Sequence, residues 1–387
     1  MPEDQFSSTH PQLPPTTEED RFSWLRLLRS RRVGISTFNR LLAEHGSAAD
    51  ALRALPDIAR AAGVDDYATQ DPAATEAELR AGEKIGARLI YRGDADYPAL
   101  FHDLTDAPPM FWALGNTDLL KQPTVAMAGA RNASSLGTRM ARQLARDLGE
   151  AGFVTVSGFA RGIDTACHAG SAETGTIAVF AGGVDRIYPA ENATLAKTLA
   201  ETGLRISEQP IGLVPQARHF PPRNRLISGL APALVIVEAA ARSGSLITAR
   251  NALDQGRDVL AVPGHPFDAR AAGCNMLIRD GATLVRGADD VIEAIGHHIT
   301  ADAAIPDNPQ PGLHLVPPHA PAENTRDLRT THELHMQILQ QLGPSPVGED
   351  QLIRDLGAPA SIVSPALVDL EVEGRVRRQA GGLLSRA

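Results

Sequence analysis

The chain has 387 residues, which is longer than one typical domain and predicts two or three. Its net charge is −9 and only 4% of its residues are aromatic, which argues against a protein that binds nucleic acid over its whole surface. A focused basic groove stays compatible with these values, because phosphate contacts are local. Two cysteines exclude a disulfide framework, and no signal peptide or membrane-length apolar run is visible, so we expect a cytoplasmic protein without membrane contact.

The front of the chain predicts a tail and then a small helical module. Residues 1–20 are rich in Pro, Thr, Ser and acidic residues, which is typical of a disordered tail. Residues 21–110 contain short helical patterns typical of SAM-like or helix-hairpin-helix modules, and the prolines near their end predict a linker that stops near Lys121. Two roles for this module stay open: an interaction or DNA-backbone module, or a packing appendage, since Arg31 and Arg32 form its only basic cluster.

Residues 120–298 alternate short apolar strands with helices, which predicts an α/β domain with a Rossmann-like, doubly wound parallel sheet. Residues 299–328 form a Pro-rich linker. Residues 329–387 predict three helices and a β-hairpin, the outline of a winged-helix-like domain, whose acidic residues favour binding of a protein over a DNA groove. The predicted strands of the parallel sheet are Thr124–Ala128, Phe153–Val156, Thr176–Phe180, Leu204–Ser207, Ala233–Val237 and Val259–Val262.

Small-residue turns follow four of these strands and predict one anion-binding rim. Ligands of such sheets bind beyond the carboxyl ends of the strands, where glycines allow close approach and helix N-termini offer free N–H groups. Three turns carry an arginine, namely Arg131, Arg161 and Arg242. The turns are Ala128–Ser135, Ser157–Asp164, Ala181–Asp185 and Glu238–Ser245.

The triplet Arg223-Asn224-Arg225 precedes the strand at Ala233 and is expected at the same rim, where arginine forks suit phosphate. An alternative stays open, in which both arginines pair with acids such as Glu208 and Glu238 in a structural network. Phe220 has two possible roles, stacking on a base or packing in the core. Pro221 and Pro222 are expected to hold this segment extended.

Common catalytic patterns are missing from these turns. The turn at Gly129 lacks the dinucleotide spacing G-x-G-x-x-G, no Walker lysine is present, and the turn at Ser157 lacks the G-x-S-x-G elbow. Asp164, Asp185 and Glu238 lie in separate turns without metal-ligand spacing. We therefore expect no cofactor and no metal. Glu238 is the best single candidate for a catalytic or ribose-binding carboxylate.

Several long motifs resemble the DprA/Smf family of bacterial DNA-processing proteins. They are VSGFARGIDTACHAG, TIAVFAGGVDRIYPAEN, ISEQPIG, the stretch His219–Arg250, and GRDVLAVPGHPFDARAAGCNMLIRDGA, and the match spans Thr124 to about Gly287. The resemblance implies an extended Rossmann domain between a SAM-like and a winged-helix-like domain. It further implies a homodimer without catalytic activity that binds incoming single-stranded DNA in natural transformation, protects it and helps to load the RecA recombinase.

Carried over motif by motif, the resemblance also implies the residues that contact the DNA. Ala130 departs from the family, which usually has a hydroxyl residue there, so one phosphate hydrogen bond is in question. With a DNA-binding role, Glu238 becomes an expected arginine partner. The implied DNA-binding residues are Gly129, Arg131, Ser134, Gly158, Arg161, Arg223, Asn224, Arg225, Ser243, Gly244 and Ser245.

Two other hypotheses compete with this one. The fold also resembles LOG-type phosphoribohydrolases, which would make the chain a nucleotide or sugar-phosphate enzyme that uses Glu238. Those enzymes carry Pro-Gly-Gly-x-Gly-Thr, whereas this chain has Arg242-Ser243-Gly244-Ser245 in a comparable place. The third hypothesis is an adaptor that binds partners through its terminal modules and has no affinity for DNA.

Overall fold

The computed structural model describes residues 14–302 and, nearer the C-terminus, residues 334–339, 342, 347–348, 352–353, 356, 358, 360–372, 375–379 and 383–386. The chain divides into two compact units, Met1–Asp307 and Asn308–Ala387. Residues 1–13 of the predicted tail (1–20) and residues 303–328 of the predicted linker (299–328) lie outside the described residues, and residues 299–302 are helical instead of linker. In the described residues no helix is long and apolar enough to cross a membrane.

Four helices form the N-terminal module. The first begins at Glu18, inside the predicted tail, because Thr17 and Asp20 exchange hydrogen bonds as a capping box. The third is one continuous helix through Pro56. The helices are α1 (Glu18–Arg29), α2 (Ile35–His45), α3 (Ala48–Ala61) and α4 (Pro72–Lys84).

A nine-stranded sheet follows, and its first two strands correct the predicted boundaries. Strands β1 (Arg88–Tyr91) and β2 (Met110–Gly115) lie in the segments predicted as helical module and linker, yet they join the sheet antiparallel to their neighbours. The sheet is therefore mixed, with a parallel majority, in the order β1-β2-β6-β5-β4-β3-β7-β8-β9. The parallel strands are β3 (Thr124–Ala128), β4 (Val154–Ser157), β5 (Thr176–Val179), β6 (Leu204–Ser207), β7 (Ala233–Ile236), β8 (Asp258–Ala261) and β9 (Thr283–Leu284).

The strand order places a topological switch point between β3 and β7. The chain runs from β3 through β4 and β5 to β6 in one direction, and then returns to β7 on the other side of β3. A crevice opens beyond the carboxyl ends of two strands at such a point. Both sheet faces are covered, since Ala126 of β3 packs in one apolar cluster and its neighbours Val125 and Met127 pack in another. This confirms the predicted Rossmann-like architecture.

Seven helices pack around the sheet. Helix α8 corrects an expectation, because Pro221 and Pro222 lie in its first turn instead of in an extended segment. Proline fits a first helical turn, where its missing N–H has no partner to lose. The triplet Arg223–Arg225 is therefore helical. The helices are α5 (Ser135–Glu150), α6 (Ile163–Gly170), α7 (Ala193–Thr202), α8 (Phe220–Gly229), α9 (Ser245–Asp254), α10 (Ala272–Arg279) and α11 (Ala288–Asp302).

The C-terminal unit has its own small sheet and apolar core. Its sheet order is β10-β12-β11, and the predicted hairpin is present as the antiparallel pair of β11 and β12. Leu367 of α12 and Leu384 of β12 are buried in the core. This arrangement confirms the winged-helix outline. The elements described are β10 (Val347–Gly348), α12 (Ala360–Val372), β11 (Val376–Gln379) and β12 (Leu383–Arg386).

Candidate nucleic-acid interface

The predicted small-residue turns meet at the carboxyl edge of the parallel strands. An open cleft of about 820 Å³ lies at this edge, and a smaller recess adjoins it. The turns after β3 and β4 border both, the turn after β5 borders the recess, and the turn after β7 borders the cleft. The residues that line the cleft include Gly129, Arg131, Asn132, Ala160, Asp164, Phe220, Arg223, Asn224, Arg242, Ser243, Gly244, Ser245 and Arg270. The recess is lined by Arg131, Gly158, Arg161, Gly182, Arg186, Tyr188 and Phe220, among others.

Phe220, the first residue of α8, lines both the cleft and the recess. The Arg131 guanidinium carbon lies 5.0 Å from the centroid of its ring, and that of Arg223 lies 5.8 Å away. Both distances fall in the range of cation–π contacts. The Tyr188 ring lies 5.8 Å from the Phe220 ring. The arrangement holds a half-buried aromatic ring beside an exposed arginine in a concave surface.

Arg223 is buried and links α8 to the ends of two strands. Its Nη1 donates to the backbone oxygens of Val179, at 2.6 Å, and of Gly158. Burial lowers the pKa of Arg223 to about 10, although the neighbouring Asp164 opposes the shift, so the guanidinium stays charged near neutral pH. A Cβ at Gly158 would collide with this guanidinium. Arg223 therefore holds the loop after β4 in place.

Arg225 lies outside the cleft. Its Nη2 is 2.6 Å from both carboxylate oxygens of Glu208, and its Nε is 3.3 Å from Asp106. Only 11% of its side chain is exposed. The structural-network alternative thus describes Arg225 and Glu208 correctly. Asn224, between the two arginines, does line the cleft.

The hydrogen bonds to the Glu238 carboxylate come from Ser134, and not from an arginine as expected. The Ser134 backbone N–H donates to Oε1 at 3.0 Å, and the Ser134 hydroxyl donates to Oε2 at 2.5 Å. Ser134 Oγ in turn accepts from the backbone N–H of Gly137 at 2.9 Å, which caps α5. A Cβ at Gly137 would collide with the carboxylate. The carboxylate therefore closes the first turn of α5, where the resemblance had placed a DNA contact by Ser134.

The turn after β7 leaves its polar groups near the cleft. Ser243 Oγ lies 2.7 Å from Ser245 Oγ and accepts from the Ser245 backbone N–H at 3.3 Å. Gly244 is exposed at the N-cap position of α9 and has no side chain to cap that helix. Arg242 beside it is also exposed. Arg242 therefore brings an exposed positive charge to the cleft, and the start of α9 brings a helix N-terminus.

Several cleft residues escaped the sequence analysis. Arg270 follows β8 and lines the cleft, and Arg186 and Tyr188 follow β5 and line the recess. Each of them follows the end of a parallel strand, which is the signal that could have identified them. The sequence analysis considered only the turns that are rich in small residues. Arg161 lies at the recess as predicted, exposed and 3.6 Å from Glu191. The described residues contain no group of three or more His, Cys, Asp or Glu that could hold a metal ion.

Comparison with known proteins decides the family. The family model for DNA recombination-mediator protein A matches residues 88–296. The chain belongs to the DprA/Smf family. Two further models match residues 18–81 as a DprA-like N-terminal HHH domain and residues 318–382 as a DprA winged helix domain. Two module types were predicted for the N-terminus, and the matching family model describes it as the HHH type.

Similar members of the DprA/Smf family come from several bacteria. DprA of Bacillus subtilis is 40% identical over 56% of this chain and 74% of its own length. Smf of Synechocystis is 32% identical over 78% of this chain and 81% of its own. The structure of DprA from Streptococcus pneumoniae is 33% identical, with a TM-score of 0.59 over 72% of this chain and 98% of its own. That of DNA processing protein A from Helicobacter pylori, described for its single-stranded DNA binding mode, is 28% identical, with a TM-score of 0.51 over 55% and 97%.

Proposed function

We propose that the chain binds single-stranded DNA across the cleft and the adjoining recess. The observation that carries the proposal is the Phe220 ring, which lies 5.0 Å from the Arg131 guanidinium carbon and 5.8 Å from that of Arg223 where the turns converge. An unpaired base can stack on an aromatic ring while a neighbouring arginine contacts its phosphate, and both contacts are independent of sequence. The single-stranded DNA binding described for the Helicobacter pylori relative supports the same ligand.

The surface suits a polymer better than a single nucleotide. Arg131, Arg161, Arg242 and Arg270 are exposed and lie in four separate loops of this edge. A strand with repeated phosphates can contact several of them at once, whereas a mononucleotide has phosphate at one end only. The negative net charge fits this focused arrangement, since it opposes binding elsewhere on the surface.

The binding test is a titration of fluorescent oligonucleotides at several salt concentrations. Single strands are expected to bind more tightly than a duplex of the same sequence, because duplex bases cannot stack on Phe220. Affinity is expected to fall with salt, with a slope of about −0.7 per phosphate neutralised. Equal affinity for both forms, without salt dependence, would remove the proposal.

We further propose that the protein protects incoming DNA, helps to load the RecA recombinase during natural transformation, and acts in the cytoplasm as a homodimer. Family membership supports these roles. The test adds the protein to RecA and single strands, and measures nuclease resistance and joint-molecule formation. Sedimentation of the full chain tests the dimer. No stimulation of RecA would leave DNA binding standing alone.

We also propose that the chain is not an enzyme, and that it uses no cofactor. The alternative of a nucleotide or sugar-phosphate enzyme depends on Glu238, and both of its carboxylate oxygens accept hydrogen bonds from Ser134. A carboxylate engaged in this way has a structural role that needs no substrate. Base release from nucleoside monophosphates, lost in Glu238→Gln, would support the enzyme instead.

A further inference from the structure

A chain of buried polar contacts joins the N-terminal module to α8. Arg29 of α1 binds Glu78 of α4 through Nε, 3.0 Å from Oε2, and through Nη2, 2.9 Å from Oε1. Its remaining Nη1 donates to the backbone oxygen of Glu208 at 3.1 Å. The Glu208 carboxylate then accepts from Arg225 of α8 at 2.6 Å. We name these contacts the Arg29 relay; Trp112 completes it, because its indole Nε1 donates to Glu78 at 2.8 Å.

Burial distinguishes the relay from the surface ion pairs of the same module. The side chains of Arg29 and Glu78 are 12% and 9% exposed, whereas those of Arg60 and Asp57 on α3 are 61% and 77% exposed. Water and salt screen an exposed pair, so it constrains its neighbours little. A buried pair has no such alternative partner, and removal of one charge forces the other to move or to lose its hydrogen bonds.

The relay ends on the helix that carries the aromatic residue of the interface. Arg225 holds α8 through Glu208 and Asp106, and Gln255, directly after α9, donates to the Arg225 backbone oxygen at 2.9 Å. Phe220 begins the same helix and lines both the cleft and the recess. Helix α8 has ten residues, so a shift at Arg225 also displaces Phe220.

We propose that Arg29 is a positioning residue through which the N-terminal module sets the position of α8 and thereby the affinity for single-stranded DNA. The inference rests on the proposed function, since it concerns the same interface. It gives the N-terminal module a role beyond packing, because a partner that displaces α1 or α4 changes DNA binding through the relay. Thermodynamic linkage makes the coupling reciprocal, so DNA at α8 also acts on the environment of Glu78 and Trp112.

The first test compares Arg29→Gln with Arg26→Gln in the full chain. Arg26 lies on the same helix, but its contacts are the Gln70 backbone oxygen and the Thr69 hydroxyl within the N-terminal module. Arg29→Gln is expected to weaken single-strand binding by about fivefold or more, the lower range of allosteric coupling, and Arg26→Gln to leave it unchanged. The salt slope should stay at the wild-type value in both variants, because neither loses a phosphate contact.

Conservative variants keep this test decisive if Arg29→Gln folds poorly. Arg29→Lys retains the charge and one hydrogen bond, so it is expected to recover part of the affinity. Glu78→Gln retains an acceptor for Trp112 but removes the charge paired with Arg29, so it is expected to weaken binding as well. Circular dichroism confirms that each variant is folded. The inference is overturned if Glu78→Gln and Arg29→Lys are folded and bind single strands with wild-type affinity, and if Arg29→Gln, where it folds, does so as well.

Trp112 gives a second measurement that a stability defect alone would not mimic. The chain has two tryptophans, so Trp24→Phe leaves Trp112 as the sole indole. Trp112 is 2% exposed and does not line the cleft or the recess, so DNA reaches it only through the protein. Single-stranded DNA is expected to shift Trp112 emission in Trp24→Phe, and Arg29→Gln in that background to abolish the shift. If the wild type binds DNA and Trp112 stays silent, the relay is refuted; if the wild type does not bind DNA, the proposed function fails first.

Discussion

The Arg131 guanidinium carbon lies 5.0 Å from the centroid of the Phe220 ring, so a turn after the first parallel strand and the start of α8 meet at one point. Arg131 is exposed, whereas Arg223, which also lies near this ring, is buried and bound to backbone oxygens. The two arginines therefore differ in role although both approach the same ring. Arg131 is free to contact phosphate, and Arg223 fixes the ring and the loop behind it.

Arg131→Ala and Arg225→Ala are expected to have opposite signatures. Arg131→Ala should weaken single-strand binding and reduce the salt slope by about 0.7, the contribution of one phosphate contact. Arg225→Ala leaves Glu208 buried without its main partner, so it should lower the free energy of unfolding by about 3–5 kcal/mol and leave the salt slope unchanged. Urea unfolding and salt-dependent anisotropy separate the two effects. A reduced slope in Arg225→Ala would return that residue to the DNA contact set.

Phe220→Ala is expected to weaken binding by about 1–3 kcal/mol, the usual loss when one stacked base loses its aromatic partner. Phe267→Ala is the matched control, because Phe267 is 94% exposed and does not line the cleft or the recess. Affinity for a single-stranded oligonucleotide, measured by anisotropy, compares the two variants. Equal losses in both would show that stacking does not depend on the recess. Phe220→Trp should retain most of the affinity, since it preserves a π-face.

The strand positions and the convergence of the turns could be predicted from the sequence, because short buried strands are local apolar runs. The turns then follow from the rule that parallel strands share a carboxyl edge. The roles of Arg223 and Arg225 could not be predicted, since residues two apart on a helix point in different directions. Strands β1 and β2 were missed because β2 joins the sheet through β6, which is distant in sequence, and β1 joins the sheet through β2. The contact between Glu238 and Ser134 could not be predicted either, because it forms only when the chain returns from β6 and places β7 beside β3.

Ser134→Ala is expected to reduce stability and to leave DNA affinity near the wild-type value. The substitution removes the α5 cap, which typically costs about 1 kcal/mol, and also deprives one Glu238 oxygen of its donor. Ser47→Ala is the control, because Ser47 also caps its helix, α3, while its hydroxyl donates to Asp50 of that same helix, which is 46% exposed, instead of to a buried acid that follows another strand. Thermal unfolding should show a larger loss for Ser134→Ala. A loss of DNA affinity, with a reduced salt slope, would instead favour the phosphate contact that the family resemblance implied.

His168 is expected to make the stability of the fold depend on pH. Burial lowers the pKa of His168 to about 3, and the nearby Arg223 adds to the shift, so the folded protein holds a neutral imidazole that is hydrogen-bonded to the Thr176 hydroxyl at 2.7 Å. The unfolded chain titrates near 6.5 and binds more protons below that pH. The stability is therefore complete above about pH 6.5, and falls by up to about 1.4 kcal/mol per pH unit between there and pH 3.

The corresponding measurement is urea unfolding of wild type and His168→Gln from pH 7 to pH 4. An amide cannot take up this proton, so the variant should start less stable at pH 7, because the buried site is repacked, and then lose less stability on acidification than the wild type. His265→Gln is the control, because His265 is exposed on the loop after β8 and should leave the wild-type pH dependence unchanged. Parallel curves for the wild type and His168→Gln would show that folding does not lower the pKa of His168.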